Sequence, residues 1–383
     1  MKHINNINFS KIDLIPAFCI FSIIPAYYVW YSVLSNILLV VLSLFFVVNI
    51  AKKGIANSKI LAGVLFTLTF LYYAIASSYN FYGFIAVICL LPIILAKKTY
   101  VVNVYNAFIR VYAGIMLISM ISFSLVAYLG IDLPHYSIPP LNEGKAYDYY
   151  VYPFFVTGDT LLTIRFFGLF DEPGVVGTIS GIILITENFN LKKWYNIVIL
   201  VTGLLSLSLF FIILCAIYIL ATAPIKYKVF SILLVGIVVV LFSQSEILDQ
   251  YIFSRLLFED NKFVGDTRSH GDFDSFYAKF RQSSAYLTGL GAGTGAARNE
   301  GGSSYKQLIV DYGLIFFLVN IFCYYLFSRK TLTSFKMIFV FFLSLLGSMY
   351  QRPFVTIPIY VFLMIASVYV ISDNYKNIKI KNE

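Results

Sequence analysis

Apolar runs near membrane-crossing length, separated by short polar breaks, repeat along the whole chain. A helix needs ~20 apolar residues to cross a hydrocarbon layer of ~30 Å. The runs are Ile12–Tyr31, Val33–Ile50, Ile60–Ala76, Phe81–Ala96, Val111–Gly130, Pro173–Thr186, Tyr195–Ala221, Val229–Ser243, Ser304–Phe327, Phe335–Met349 and Phe354–Ile371. Their pattern predicts helices throughout. The stretch Tyr195–Ala221 is too long for a single upright crossing, about 40 Å as one helix. Its length predicts either a strong tilt or a break, and Ser206 and Ser208 near its middle are the residues that would satisfy backbone groups freed by a break.

Loop charge decides between the two. With an unbroken stretch, Lys226, Lys228, Arg329, Lys330, Lys336, Lys376, Lys379 and Lys381 fall outside; with a break they join Lys52, Lys53, Lys59, Lys97, Lys98, Lys192 and Lys193 on one side. Basic residues concentrate in cytoplasmic loops, so the broken form is the expected one. It gives an all-α, polytopic integral membrane protein of about 12 transmembrane segments with both termini cytoplasmic. Residues 1–383 form a single membrane domain. Two larger periplasmic loops interrupt it, Ile131 to about Phe167 and about Gln244 to Gly302. Loops this long in a compact protein usually carry function.

Composition agrees with the pattern. Hydrophobic residues make up 60% of the chain and charged residues 12%, with a mean hydropathy of +0.82. A net charge of +9 is accounted for by lysines of short loops and gives no reason to expect nucleic acid. Cys19, Cys89, Cys215 and Cys323 lie inside apolar runs without a C-x-x-C pair, so neither a disulfide nor a thiolate metal site is expected. His3, His135 and His270 have no metal-ligand spacing. The pair Asp272 and Asp274 beside His270 is a weak candidate for a divalent ion. No small-residue cleavage site follows the first apolar run, which reads as a retained span.

Arginine changes the picture. Arg165, Arg255, Arg268, Arg281, Arg298 and Arg352 fall on the outer side of this topology, against the usual bias. A guanidinium grips phosphate through a two-pronged fork that an ammonium lacks. The second loop places Arg255 on the face of a helix with Leu248, Tyr251 and Ile252, fit for the membrane surface. It also holds an aromatic face of Phe273, Phe276, Tyr277 and Phe280, either a sugar platform or a cover over the membrane helices. Between them Arg268 is a candidate phosphate ligand, with Asp266 as its neighbouring carboxylate. The run GLGAGTGAARNEGGSS brings Gly289 and Gly291, then Arg298, then a predicted helix start at Ser303 or Ser304. A dinucleotide fingerprint would need a preceding strand and a βαβ unit; what remains is a flexible loop leading to a helix start, where anions are favoured. At the end of the first loop, Arg165 precedes Asp171, Glu172 and Pro173, with Pro173 suited to a first helical turn and Glu172 to its cap.

These segments together resemble the bacterial O-antigen polymerases, with the related O-antigen ligases close behind. The resemblance is carried by RFFGLFDEPG at Arg165–Gly174, by the long loop with Arg255 and Arg268, and by GLGAG followed by SSYKQLIVDYGLIFF within Gly289–Phe317. It covers under half the chain. It implies a type C glycosyltransferase-like fold and an enzyme of the bacterial inner membrane with a periplasmic active site. The implied reaction moves a growing glycan from undecaprenyl pyrophosphate onto a lipid-linked repeat unit, without cofactor or metal. The implied partners are that lipid-linked oligosaccharide, as donor and acceptor, membrane lipid and a chain-length regulator. Ligases usually carry a histidine just before the helix that is predicted here at Ser303, where this chain has none.

On this reading Arg165, Arg255 and Arg268 stabilise the departing diphosphate, with Glu172 as first candidate for the base. Arg281, Arg298, Asp171, Asp266, Gly289, Gly291, Ser303 and Ser304 complete the candidate binding set. The alternatives are an O-antigen ligase and a flippase for lipid-linked oligosaccharide. A flippase should carry charges within its spans, which here are nearly free of them, with Arg110 at an interface.

Overall fold

The structure is a computed structural model. It describes residues 10–24, 33–55, 60–76, 81–139, 148–158, 165–170, 172–222, 224–226, 228, 258–259, 262–263, 271–291, 305–332, 334–351 and 357–382. The apolar runs that fall among these residues are helical, and the protein is mostly helix. Among the described residues three helices are long and apolar enough to cross a membrane, Val33–Lys53, Lys98–Ala127 and Tyr305–Thr331, and several shorter apolar helices accompany them. The run Val229–Ser243 lies outside the described residues. The chain divides into two compact units, residues 1–57, 89–212 and 361–383 in the first and 58–88 and 213–360 in the second.

In the first unit a short 3-10 turn, Lys11–Asp13, leads into α1 (Leu14–Ser22), followed by α2 (Val33–Lys53). Val33, Ile37, Leu44 and Val48 of α2 are exposed, which is the outward apolar face a helix shows to lipid. The expected span Val111–Gly130 is the second half of a longer helix, α5 (Lys98–Ala127). Arg110 does not end it. Its Nη1 donates to the Asn106 carbonyl at 2.7 Å, and its guanidinium lies 5.3 Å from the Tyr195 ring centroid. Those contacts disperse the charge that the sequence had marked as an interface. α6 (Pro173–Thr186) is buried along its whole length. The last helix, α13 (Pro358–Asn382), is buried on every side from Val361 to Ile371, as expected of an apolar helix surrounded by others. Phe362 meets Phe46 of α2 and Phe108 of α5 edge-on, at 6.4 and 6.3 Å. Thr186 donates to Ser367 at 2.7 Å, and Lys98 pairs with Asp373.

The first loop departs from the all-α expectation. Strands β1 (Tyr136–Ile138), β2 (Tyr149–Tyr152) and β3 (Phe155–Gly158) form an antiparallel sheet in the order β1-β2-β3. Tyr, Ile and Val favour strands, and Pro153–Phe154 makes the turn, Phe154 with φ 70°. Phe155 packs on Phe123 near the end of α5 at 5.8 Å, and Ser122 donates to the Pro153 carbonyl at 2.5 Å.

The long run Tyr195–Ala221 is broken. α7 (Trp194–Leu205) and α8 (Leu209–Thr222) are separated by Ser206, Leu207 and Ser208, with Leu207 in the left-handed region at φ 46°. A Cβ on Gly203 would meet the Phe211 ring at 2.5 Å. A straight helix would hold those two residues about 12 Å apart.

The second unit contains α3 (Ile60–Ala76), most of α4 (Phe81–Leu95), a two-stranded hairpin of β4 (Phe258–Glu259) and β5 (Lys262–Phe263), then α9 (Gly271–Phe280) and α10 (Ala285–Thr288). α11 (Tyr305–Thr331) and α12 (Phe335–Gln351) follow. α11 lies on α3, with Phe66 against Tyr324 at 4.9 Å and Tyr72 against Phe316 at 6.0 Å. Tyr305 stacks on Tyr350 of α12 at 6.2 Å.

One ion pair of the first unit tests this packing. The Glu187 carboxylate, 1% exposed at the end of α6, receives Lys193 Nζ at 2.5 Å. Burial pulls the Lys193 ammonium down, but the Glu187 charge and hydrogen bond outweigh it and hold the group above its ordinary value. Lys193→Met leaves a buried carboxylate unpaired, at a cost of roughly 3 kcal/mol. The expected result is a clearly lowered unfolding midpoint in detergent, largely restored in the double variant Glu187→Gln/Lys193→Met.

Candidate functional site

The segment after the first loop is a strap that pins one arginine in place. Phe166, Phe167 and Phe170 turn into the core, where Phe166 meets Phe123 at 5.5 Å and Phe170 meets Phe21 at 6.0 Å. Gly168 sits at φ 60°, and a Cβ there would press on Met116 at 3.1 Å. Its carbonyl accepts from the Val156 N–H of β3 at 2.8 Å. With three rings buried on either side of this turn, Arg165 is left half-buried at the strap's edge. Its Nε donates to the Ser206 carbonyl at 3.1 Å, and the next backbone N–H, of Phe166, donates to the Leu205 carbonyl at 2.9 Å.

Both acceptors belong to the break between α7 and α8. A helix that stops inside an apolar environment leaves its last carbonyls unsatisfied. The strap supplies two donors for them, one a cation at the negative end of α7. Ser206 Oγ donates to the Gly203 carbonyl at 2.6 Å, so one of the two serines does satisfy a backbone group. Ser208 Oγ does not; it is buried and has no hydrogen-bond partner among the described residues. Gly177 of α6 permits this close approach, because a Cβ there would lie 2.4 Å from Ser208 Cβ.

Glu172 precedes α6 at the cap position in extended conformation, with Pro173 in the first turn. Its carboxylate makes no capping bond to the helix, so the capping role expected of the side chain is not seen. Glu172 is half-buried. Arg165 and Glu172 thus flank one short strap in the first unit.

Arg281, Gly289 and Gly291 belong to the second unit. Arg281 is exposed just past α9. The aromatic face of α9 is not a sugar platform: Phe273, Tyr277 and Phe280 are buried against Ile309 and Val310 of α11, with Phe276 partly buried beside them. The cover reading holds because α11 offers an apolar surface at the same spacing. Burial, then the neighbouring Tyr286, pushes the Tyr277 phenol up and keeps it neutral. Asp274 is engaged by Lys306 Nζ at 2.6 Å, and no group of three metal-ligating side chains occurs among the described residues.

The glycines meet backbone rather than open space. The N–H groups of Gly289, Leu290 and Gly291 donate to the carbonyls of Ala285, Val310 and Asp311 at 2.7, 2.8 and 3.0 Å. A phosphate cradle would require those donors. Across from them α11 is interrupted at Gly313, which has φ 87° and ψ 161°. A Cβ on Gly289 would meet the Asp311 carbonyl oxygen at 2.4 Å, and one on Gly313 the Leu287 carbonyl oxygen at 2.3 Å. Gly289–Gly291 and the Asp-Tyr-Gly run are therefore two sides of one backbone crossing that also supplies donors to carbonyls freed by the kink in α11. Sequence spacing alone carried no sign of this partnership.

Asp171, Arg255, Asp266, Arg268, Arg298, Ser303 and Ser304 lie outside the described residues. Gly177 and Gly313 were not among the expected site residues, and each shows its role only where a second segment touches it.

The crossing makes a sharp prediction. Gly313→Ala combines a left-handed backbone with a backbone clash and should cost more than 2 kcal/mol. Gly114→Ala on α5, where a Cβ meets nothing within 4 Å, should be neutral or stabilise by about 0.5 kcal/mol. Unfolding midpoints of the two purified variants check this; equal shifts would contradict it. No protein-family model, curated protein or solved structure matches the chain.

Proposed function

We propose that this protein is a membrane glycosyltransferase of the O-antigen polymerase kind. Its donor is a glycan on undecaprenyl pyrophosphate and its acceptor a lipid-linked repeat unit at the periplasmic face. The apolar helices support a membrane-embedded protein. The observation that carries the reading furthest is the seat of Arg165, a guanidinium fixed by its Nε on the carbonyl of a broken apolar helix, seven residues ahead of the carboxylate of Glu172.

The chemistry asks for such a pair. A hydroxyl of the acceptor sugar forms a bond to the donor's anomeric carbon while the bond to the diphosphate breaks. The proton leaves with a base, and negative charge grows on the departing lipid diphosphate. A preorganised guanidinium stabilises that charge without reorganising. Holding Arg165 through Nε fixes the plane of its fork. In this reading Arg165 binds the diphosphate with Arg255 and Arg268, and Glu172 takes the proton.

Arg165→Ala and Arg165→Lys separate charge from geometry. In cells making the cognate repeat unit, both variants should insert normally and replace the glycan ladder by single repeat units. The expected loss of chain extension is at least 100-fold for Ala and at least tenfold for Lys, roughly the effect of removing one oxyanion-type donor. A full ladder from Arg165→Ala would refute the assignment. Absence of single units at the cell surface would instead point to a flippase.

A further inference from the structure

Two residues make the turn between β2 and β3, and the second is not of the usual type. Tyr152 pairs with Phe155, so Pro153 and Phe154 alone close the hairpin. Proline suits the first place of such a turn. Phe154 holds the second at φ 70°, a left-handed backbone that ordinarily takes glycine or asparagine. A side chain with a Cβ is strained there. The protein does not bury the ring in exchange: it is 56% exposed and meets no other ring among the described residues.

The rest of the hairpin is packed away. Tyr152 stacks on Phe155 at 4.6 Å, Phe155 meets Phe123 of α5, and Phe123 meets Phe166 of the strap. The bond from Ser122 of α5 to the Pro153 carbonyl fixes the level of the turn. Ser122 lies five residues before the end of α5, about 8 Å back along its axis. The turn therefore sits alongside the helix and not beyond it. α5 is long and apolar enough to cross a membrane. Its exposed Ile118 and Ile121, its partly exposed Leu125, and the exposed Tyr128 just past its end follow one another at three, four and three residues, and so share a face. Lipid favours such a stripe, apolar along the span and aromatic where the headgroups begin. Phe154 stands at the level where the stripe passes from isoleucine to tyrosine.

We infer that the β2–β3 turn is a lipid contact, with the Phe154 ring seated at the boundary between headgroups and acyl chains beside the end of α5. The occupant is a bilayer because the turn lies against the outer part of a span, where lipid is the medium on the helix's exposed side. Moving the ring from water into that boundary offsets the strained backbone, which no packing within the protein does. β3 donates its Val156 N–H to the Gly168 carbonyl, so the same contact sets the depth of the strap that carries Arg165. The inference rests on a membrane-embedded chain and needs no glycan transfer.

The chain has two tryptophans, Trp30 and Trp194. With both replaced by Phe, Phe154→Trp puts a single reporter at the turn, and Asp132→Trp puts one at a side chain that is 91% exposed. Each full-length protein is placed in vesicles of phosphatidylcholine and phosphatidylglycerol, with and without lipid brominated in the upper acyl chain, and titrated with aqueous iodide. Phe154→Trp should emit at shorter wavelength than Asp132→Trp, lose about half its emission to the brominated lipid, and be quenched by iodide about threefold less. Iodide quenching equal to that of Asp132→Trp, with none from brominated lipid, overturns the inference. Protection from both quenchers also overturns it and puts a second copy, or other protein, over the turn. If tryptophan is not tolerated at the turn, Phe154→Cys with the four native cysteines replaced carries a nitroxide instead. Its relaxation by oxygen should exceed that by a water-soluble nickel chelate, and the reverse order overturns the inference. Neither readout involves transfer, so the lipid contact and the transferase reading stand or fall separately.

Discussion

Backbone amides and carbonyls in an apolar medium must find partners within the protein. That constraint governs two places among the described residues where helices are interrupted. At residues 206–208 a strap from the first loop donates Arg165 Nε and the Phe166 N–H to the freed carbonyls. At Gly313 the segment around Gly289 donates its own amides to Val310 and Asp311. Each repair needs a second piece of chain at close range, and glycines allow close approach at both places: Gly177 of α6 beside the Ser206 and Ser208 side chains at the first, Gly289 with Gly313 at the second. A net hydrogen bond contributes only about 1 kcal/mol, but a buried carbonyl left bare costs ~1–3 kcal/mol. The repairs therefore set which loop segments are ordered against the helices, and through them the position of the candidate residues.

Much of the fold was legible because hydrophobic length is a strong signal in apolar chains. α2, α3, α6, α11 and α12 begin or end within a few residues of the expected runs. The break at Ser206–Ser208 was legible for the same reason: Tyr195–Ala221 exceeds a membrane's thickness. The start of α5 was not, because Lys98 and Arg110 carry charges that a hydropathy reading treats as boundaries. The helix runs through Arg110 by pairing it with Asn106 and Tyr195, contacts invisible in a linear pattern. The sheet of the first loop was missed because its strands are only three or four residues long and depend on packing against the end of α5.

The candidate site was legible in part. Arg165 was singled out by charge on the outer side of the proposed topology; the structure places its Nε on the Ser206 carbonyl. Pro173 and Glu172 mark the start of α6 as their types suggest, although Glu172 does not use its carboxylate as the cap. The glycine run was legible as close backbone approach but not as to what approaches. The Leu290 and Gly291 amides serve α11, so glycine spacing alone cannot distinguish a helix crossing from a phosphate loop. The aromatic face of α9 shows the same ambiguity: an i, i+3, i+4, i+7 stripe marks a buried face and leaves open what buries it.

The break has a consequence for which side of the membrane everything else faces. If α7 and α8 double the chain back, the arginine-bearing second loop lies outside; one unbroken span would place it in the cytoplasm. Gln282, exposed beside Arg281, reports on this directly. With Cys19, Cys89, Cys215 and Cys323 replaced, Gln282→Cys is exposed to a membrane-impermeant thiol reagent in cells with a permeabilised outer membrane and an intact inner membrane. The account predicts labelling before the inner membrane is opened. Labelling only after lysis would place the guanidinium groups on the wrong side of the bilayer and contradict it.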